Sequence, residues 1–325
     1  MNTKILTSLF AGALMFALAG VAQADPIYMD FGAGGGVDGH VDQDGAGDPD
    51  QRTETFNQLG VFAQTTTTQF DTDGSGTLTD GDRFSDNGHL NVTGLIPGAA
   101  GDNEGLNTLQ GYQLTAAWDG LTGTATALSD NGDGTSTGNI TYDSVGNTTF
   151  NFYVDDRTGA LATRTNFNYG GDIGSDDDVD GTFTDGVLVL SVLITGGAGT
   201  NVFDNATGAF LRGTSTLVGE VTFALEDFFF FADGDADLND LLESLIQISV
   251  FIDQNTDNVE TVAGPCGDGD PTTVCNPGDP LFIVDSDHDG SIDLVRIPEP
   301  ASVLLFGLGF LALGGITLVT RRQQA

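Results

Sequence analysis

Asp71-Thr-Asp73-Gly-Ser75-Gly76-Thr77-Leu78-Thr79-Asp80-Gly81-Asp82 sets oxygen-bearing side chains at positions 1, 3, 5 and 9, glycine at 6 and a carboxylate at 12. Calcium takes six to eight hard oxygens, and this spacing wraps them around one point because glycine permits the sharp turn. Asp71, Asp73, Ser75, the Thr77 carbonyl and Asp82 are the candidate ligands. Asp82 stands where calcium loops usually carry Glu, so a bidentate grip is harder to reach. Thr65 to Phe70 before it reads as a strand, which predicts a calcium loop without flanking helices.

Asp285-Ser-Asp287-His-Asp289-Gly290-Ser291-Ile292-Asp293 repeats the first nine positions. Asp285, Asp287, Asp289 and Asp293 form a second candidate set, although Arg296 at position 12 cannot ligate a cation and leaves closure to Glu299 or water. Asp42-Gln-Asp44-Gly-Ala46-Gly47-Asp48 is a weaker third, since Ala46 offers no side-chain oxygen.

Other chemistry is sparse. Cys266 and Cys275 bracket a Gly/Pro-rich loop and predict a local disulfide in an oxidising compartment. Gly134-Thr-Ser136-Thr-Gly138 fits a nucleophile elbow but leaves a turn and enters a strand rather than a helix. Gly34-Gly-Gly36-Val-Asp-Gly39 fits a dinucleotide loop but has no helix after it. His40, His89 and His288 share no metal or catalytic spacing and read as surface residues. Trp118, at a strand end, reads as core. No catalytic constellation emerges, so the expectation is that the chain is not an enzyme. The alternative is a secreted polysaccharide-active hydrolase, which needs only two suitably spaced carboxylates.

The chain has 325 residues and a net charge of −38. Residues 25–300 hold all 47 acids against Arg52, Arg83, Arg157, Arg164, Arg212 and Arg296, which leaves −41 and no lysine. Such a surface repels phosphate backbones and excludes nucleic acid as a partner. The missing lysine removes Schiff-base chemistry and isopeptide cross-links.

Both ends read as processing signals. Lys4, the apolar run Ile5 to Val21 and the small residues Ala22 and Ala24 predict a signal peptide over residues 1–24, cut by signal peptidase. At the other end, Pro298-Glu299-Pro300 is followed by twenty uncharged residues, Ala301 to Thr320, and by Arg321-Arg322. The run is long enough to span a bilayer as a helix, and the arginines hold its end on the cytoplasmic side. This tail resembles the PEP-CTERM sorting signal of Gram-negative, biofilm-forming bacteria. The resemblance implies transient residence in the inner membrane, recognition and cleavage by an exosortase, and delivery to the cell surface or extracellular matrix. Asp71 to Asp82, with Asp102-Asn-Glu104-Gly-Leu106-Asn107 and Tyr112 to Thr124, is similar to flocculation-associated PEP-CTERM proteins. That similarity implies a part in holding cells within exopolysaccharide flocs.

The elements that must position these residues are strands. Tyr112/Leu114/Ala116, Phe150/Phe152/Val154 and Val221/Phe223/Leu225 each alternate with polar or small residues. Val187 to Ile194 suits a strand buried on both faces. Asp130 to Gly134 joins two strands as a hairpin. Phe228 to Phe231 is either a sticky edge or a strand buried on both faces. One helix is expected after Asp237, with Leu238, Leu241, Leu242, Leu245 and Ile246 on one side. The prediction is an antiparallel β-sandwich with one short helix, spanning residues 25–297 as one exported domain whose one candidate internal boundary is a hinge at residues 170–180, followed by the sorting signal at 298–325. The expected function is an exopolysaccharide-associated surface or matrix protein, structural or adhesive, with calcium as its ion.

Overall fold

Sequence alternation becomes strands that are long, up to 19 residues in one case. The computed structural model describes residues 26–31, 52–97, 106–107, 112–143, 147–156, 183–184, 186–206, 208–243, 248–263 and 276–296. Among them the chain forms β1 (Ile27–Met29), β2 (Gln58–Phe70), β3 (Arg83–Ile96), β4 (Tyr112–Asp130), β5 (Thr135–Tyr142) and β6 (Thr149–Asp156). It continues with β7 (Val187–Asp204), β8 (Phe210–Ala224), β9 (Phe229–Phe231), β10 (Ala236–Asp237), α1 (Leu238–Glu243), β11 (Ile248–Ala263) and β12 (Pro280–Arg296). The protein is mainly β, its sheets are antiparallel, and one short helix is present among the described residues.

The sandwich expectation needs correcting. The large sheet closes on itself, because β3 bonds β4 as well as β2, and β12 bonds both β11 and β2. The ring runs β2-β3-β4-β5/β6-β7-β8-β11-β12 and back to β2. Strands β5 and β6 lie end to end in one place, each pairing with β4 on one side and β7 on the other. Closure removes the edges at which a sheet could recruit another chain. Alternation puts one face inward and one outward in a sandwich and in a barrel alike, so the pattern did not distinguish them.

Strand β12 displays the interior layer by layer. Phe282 and Val284 belong to an apolar cluster near the hairpin end, Ser286 and His288 form a buried polar middle, and Ile292 and Leu294 join a larger apolar cluster beyond. The outward positions of the same strand are Asp285, Asp287 and Asp289. Apolar inside and acidic outside is the reverse of a lipid-facing barrel.

The far end is plugged by the three-stranded sheet β1-β9-β10. Strand β9 lies between the other two, so Phe229 and Phe231 are fully buried and Phe230 stacks on Tyr28 at 5.1 Å. The aromatic run is therefore an inner strand and not a sticky edge. Arg52 pairs with Asp30 at 2.7 Å and lies 5.3 Å over the Tyr28 ring, fixing the plug from one side. Asp237 caps α1, its Oδ1 accepting the Asn239 N–H at 2.8 Å.

Two expectations on strands shift. In β8 the pairs Ser191↔Phe223 and Val192↔Val221 leave Thr222 as an extra residue, and this bulge turns Phe223 outward to 39% exposure. In β4 the alternate residues Gln113 and Thr115 are buried too, and both are hydrogen-bonded: the Phe183 carbonyl accepts the Thr115 hydroxyl at 2.8 Å, and Gln113 Nε2 donates to Asn91 Oδ1 at 2.7 Å.

No helix among the described residues is long and apolar enough to cross a membrane. The expected span Ala301 to Thr320, the signal-peptide residues Ala22 and Ala24, the motif Pro298-Glu299-Pro300 and Arg321-Arg322 lie outside the described residues. So do Cys266, Cys275, His40, the stretches at 34–39 and 42–48, and the hinge at 170–180.

Candidate functional site at the acidic hairpin end and the layer beneath it

An up-and-down ring sends alternate connections to the same end. The β2–β3, β4–β5, β7–β8 and β11–β12 connections therefore gather opposite the plug. The β2–β3 connection is the stretch Asp71 to Asp82. Asp71 and Asp82 are fully buried at its two ends, while Asp73 is exposed.

The loop folds around its own carboxylates. Asp71 Oδ1 accepts the Gly74 N–H at 2.6 Å, and its Oδ2 accepts the Gly76 N–H at 2.7 Å. Gly76 sits at φ 75°, the left-handed turn expected of position 6. Asp82 Oδ1 accepts the Thr72 N–H at 2.8 Å and Oδ2 accepts the Thr79 N–H at 2.6 Å. The Ser75 hydroxyl donates to the Thr77 carbonyl at 2.8 Å. The side-chain and backbone donors of Ser75 hold the Asp73 carboxyl below its ordinary value, so it stays ionised. One oxygen each of Asp71, Asp73 and Asp82 lies within 4.8 Å of the others. Of the first predicted set, the structure thus brings together the three carboxylates and, beside Asp73, Ser75 and Thr77.

Neighbouring hairpins lock this loop. Asp71 N–H donates to the Asp279 carbonyl at 3.0 Å, and Gly278 N–H donates to the Asp71 carbonyl at 2.5 Å. Asp80 Oδ1 accepts the Leu128 N–H from β4 at 2.8 Å. Asp133 and Asp279, in adjacent turns, are also held below the usual carboxylate range, by Thr135 and by the backbone N–H of Asn276 respectively. This end of the barrel is densely and persistently negative.

The second predicted set is corrected. Asp285, Asp287, Asp289 and Asp293 lie along β12, an extended strand, not in a loop. Alternate residues of a strand stand about 6.6–6.8 Å apart, so they cannot wrap one ion as a loop does. Neighbouring strands occupy two of these carboxylates, since Thr66 donates to Asp285 at 2.7 Å and Gln64 to Asp287 at 3.3 Å.

Beneath the acidic end lies a polar layer that the sequence reading missed. His288 was expected on the surface, yet it is buried inside the barrel. Its Nε2 lies 2.9 Å from Thr65 Oγ1 and 3.1 Å from Ser286 Oγ, and its Nδ1 lies 2.8 Å from Thr256 Oγ1. Asp86 accepts the Trp118 indole N–H at 3.0 Å and the Thr67 hydroxyl at 3.0 Å. Burial pushes the Asp86 carboxyl up to about 7, against these hydrogen bonds, and pushes His288 down to about 4. Burial also raises the Tyr142 phenol. The layer borders a cavity of about 40 Å³, lined also by Gln69, whose buried Oε1 has no hydrogen-bond partner among the described residues. The only available signal was inward phase: Thr65, Asp86 and His288 occupy core-facing positions of their strands.

A family model for the PEP-CTERM protein-sorting motif matches residues 296–322. No curated protein matches the chain. The motif begins at Arg296, the last residue of β12. It indicates an exported protein that an exosortase sorts at the membrane.

Proposed function

We propose that this chain is a structural or adhesive protein of the Gram-negative cell surface or extracellular matrix, acting in exopolysaccharide-associated aggregation such as biofilm or floc formation. The observation that carries this reading is the junction at Arg296, where the ring of strands ends and the sorting motif starts. Cleavage by the exosortase near Pro298-Glu299-Pro300 would release the barrel without cutting a strand. In this reading residues 1–24 are removed by signal peptidase at Ala22–Ala24, residues 25–297 are the exported domain, and residues 298–325 are the sorting signal that visits the inner membrane. Cys266 and Cys275 form a disulfide after export.

Calcium is assigned to Asp71, Asp73 and Asp82, with Ser75 and the Thr77 carbonyl as further oxygens. Convergence of three carboxylates in a domain of such negative charge supports this, because a bound cation relieves their repulsion. When bound, the ion supplies only charge neutralisation and cross-bracing of the β2–β3 loop.

The role is non-catalytic. The test is to incubate the purified exported protein with exopolysaccharide from the cells that secrete it. Unchanged reducing-end content is expected, and a steady release of reducing ends would favour the hydrolase.

A further inference from the structure

The outer wall of the barrel carries an ordered polar array. Thr126, Asn139, Thr200, Thr214, Asn255 and Asp289 are partners in successive strand pairings, one residue from each of β4, β5, β7, β8, β11 and β12. One step along the strands, Thr141, Ala198, Thr216, Asp253 and Ser291 form a second row in the same way. Both rows line one shallow, open groove of about 840 Å³. Strands lie about 4.8 Å apart, so the first row crosses about 24 Å of wall, and the rows are separated by about 6.7 Å.

The chemistry of the lining is selective. Thr and Ser hydroxyls donate and accept, Asn amides do both, and Asp253 and Asp289 accept only. Among the described residues, no Lys or Arg and no aromatic ring lines the groove. An anionic chain would meet two carboxylates and no cation there. A flat aromatic ligand would find no ring to stack on. A chain of neutral sugars presents alternating donors and acceptors at spacings of a few ångströms, and carboxylate acceptors strengthen hydrogen bonds from its hydroxyls. Ala198, flanked in its row by Thr141 and Thr216, presents only a methyl group between two larger side chains.

We infer that this groove binds a strand of neutral, hydroxyl-rich polysaccharide laid across six strands of the barrel. The inference rests on the matrix reading above and adds the site and the class of glycan. It also separates two surfaces: the acidic hairpin end would attract cations, while the groove takes uncharged sugar.

The test is affinity electrophoresis of the purified exported protein in native gels cast with dextran, mixed-linkage β-glucan, galactomannan or alginate. Mobility is read against a non-binding reference protein. Retardation in at least one neutral polymer and none in alginate is expected. Thr200→Val with Thr214→Val keeps strand-favouring shapes and should weaken association at least fivefold, whereas Thr66→Val with Thr222→Val, outside the groove, should not. Melting temperatures confirm that each variant is folded. Equal retardation of both double variants would overturn the groove and leave the matrix reading standing. Retardation by alginate, or by none of the neutral polymers, would overturn it as a neutral-glycan site. The matrix reading is judged separately, by aggregation of the secreting cells.

Discussion

Thr65 and His288, 223 residues apart in sequence, meet inside the barrel with 2.9 Å between Oγ1 and Nε2. Strands β2 and β12 are neighbours in the ring, and closure brings β3 and β4 round to the same interior, so Asp86 and Trp118 join the cluster. Asp86 and His288 thus share one buried layer, the acid held by Trp118 and Thr67 and the imidazole by Thr65, Ser286 and Thr256. Between pH 4 and 7 both groups are neutral in the folded protein.

That arrangement fixes opposite pH dependences. Asp86 has a raised folded pKa, so its contribution is present at low pH and is lost as pH climbs through about 7. His288 has a lowered folded pKa, so its contribution is present above about 6.5 and is lost as pH falls through about 4. In the wild type the two largely offset. Relative to wild type, His288→Gln should lose stability as pH rises from 4 to 7, and Asp86→Asn should gain it over the same range. Denaturant melts at several pH values read both slopes. Slopes of the same sign in the two variants would show that the pair does not titrate as placed.

Gly88 makes room for the indole at the centre of this layer. A Cβ there would lie 2.5 Å from Trp118 Cζ2 and 2.7 Å from the Gln64 carbonyl. Gly88→Ala should destabilise the protein by about 1–3 kcal/mol through overpacking. Tryptophan fluorescence should shift with it, since Trp118 is the single tryptophan and stacks on Phe150 at 4.4 Å. An unchanged melting point would mean that the wall gives way freely.

Calcium should act on the β2–β3 loop. With a dissociation constant near the weak, millimolar end for extracellular modules, millimolar calcium should add about 1 kcal/mol, which is a few degrees in melting temperature. Magnesium at equal ionic strength should add less. Asp73→Ala should abolish the difference, whereas Asp287→Asn on β12 should leave it intact. Equal effects of both cations would reduce the loop to an acidic turn.

Most individual strands were legible because their inward residues alternate over many positions, as in Phe150, Phe152 and Val154. The first acidic loop was legible because its glycines and carboxylates are local and its geometry is set within twelve residues. Ring closure was not legible, since no residue in β3 or β4 records which strand lies beside it. The acidic run in β12 misled for a related reason: Asp-x-Asp-x-Asp is both a ligand spacing and the outward half of a strand. His288 falls within that run, and only its even-numbered phase, shared with buried Val284 and Ile292, marks it as interior.

The sorting tail makes its own prediction. Surface-exposed protein should lack residues 301–325, and changing Pro298-Glu299-Pro300 to alanines should hold the precursor in the inner membrane. Mass spectrometry of surface material reads the mature C-terminus directly. An intact Arg321-Arg322 end on that material would show that the motif is not used.

The matrix role is tested most directly by the aggregation of a strain from which the gene is deleted, measured beside its polysaccharide yield. The deletion strain should make normal amounts of exopolysaccharide and settle as dispersed cells. Supplying the intact chain should restore aggregation, and supplying the chain with the three-alanine motif should not. Undiminished aggregation without the protein, or a loss of aggregation that tracks a loss of polysaccharide itself, would contradict the proposed function.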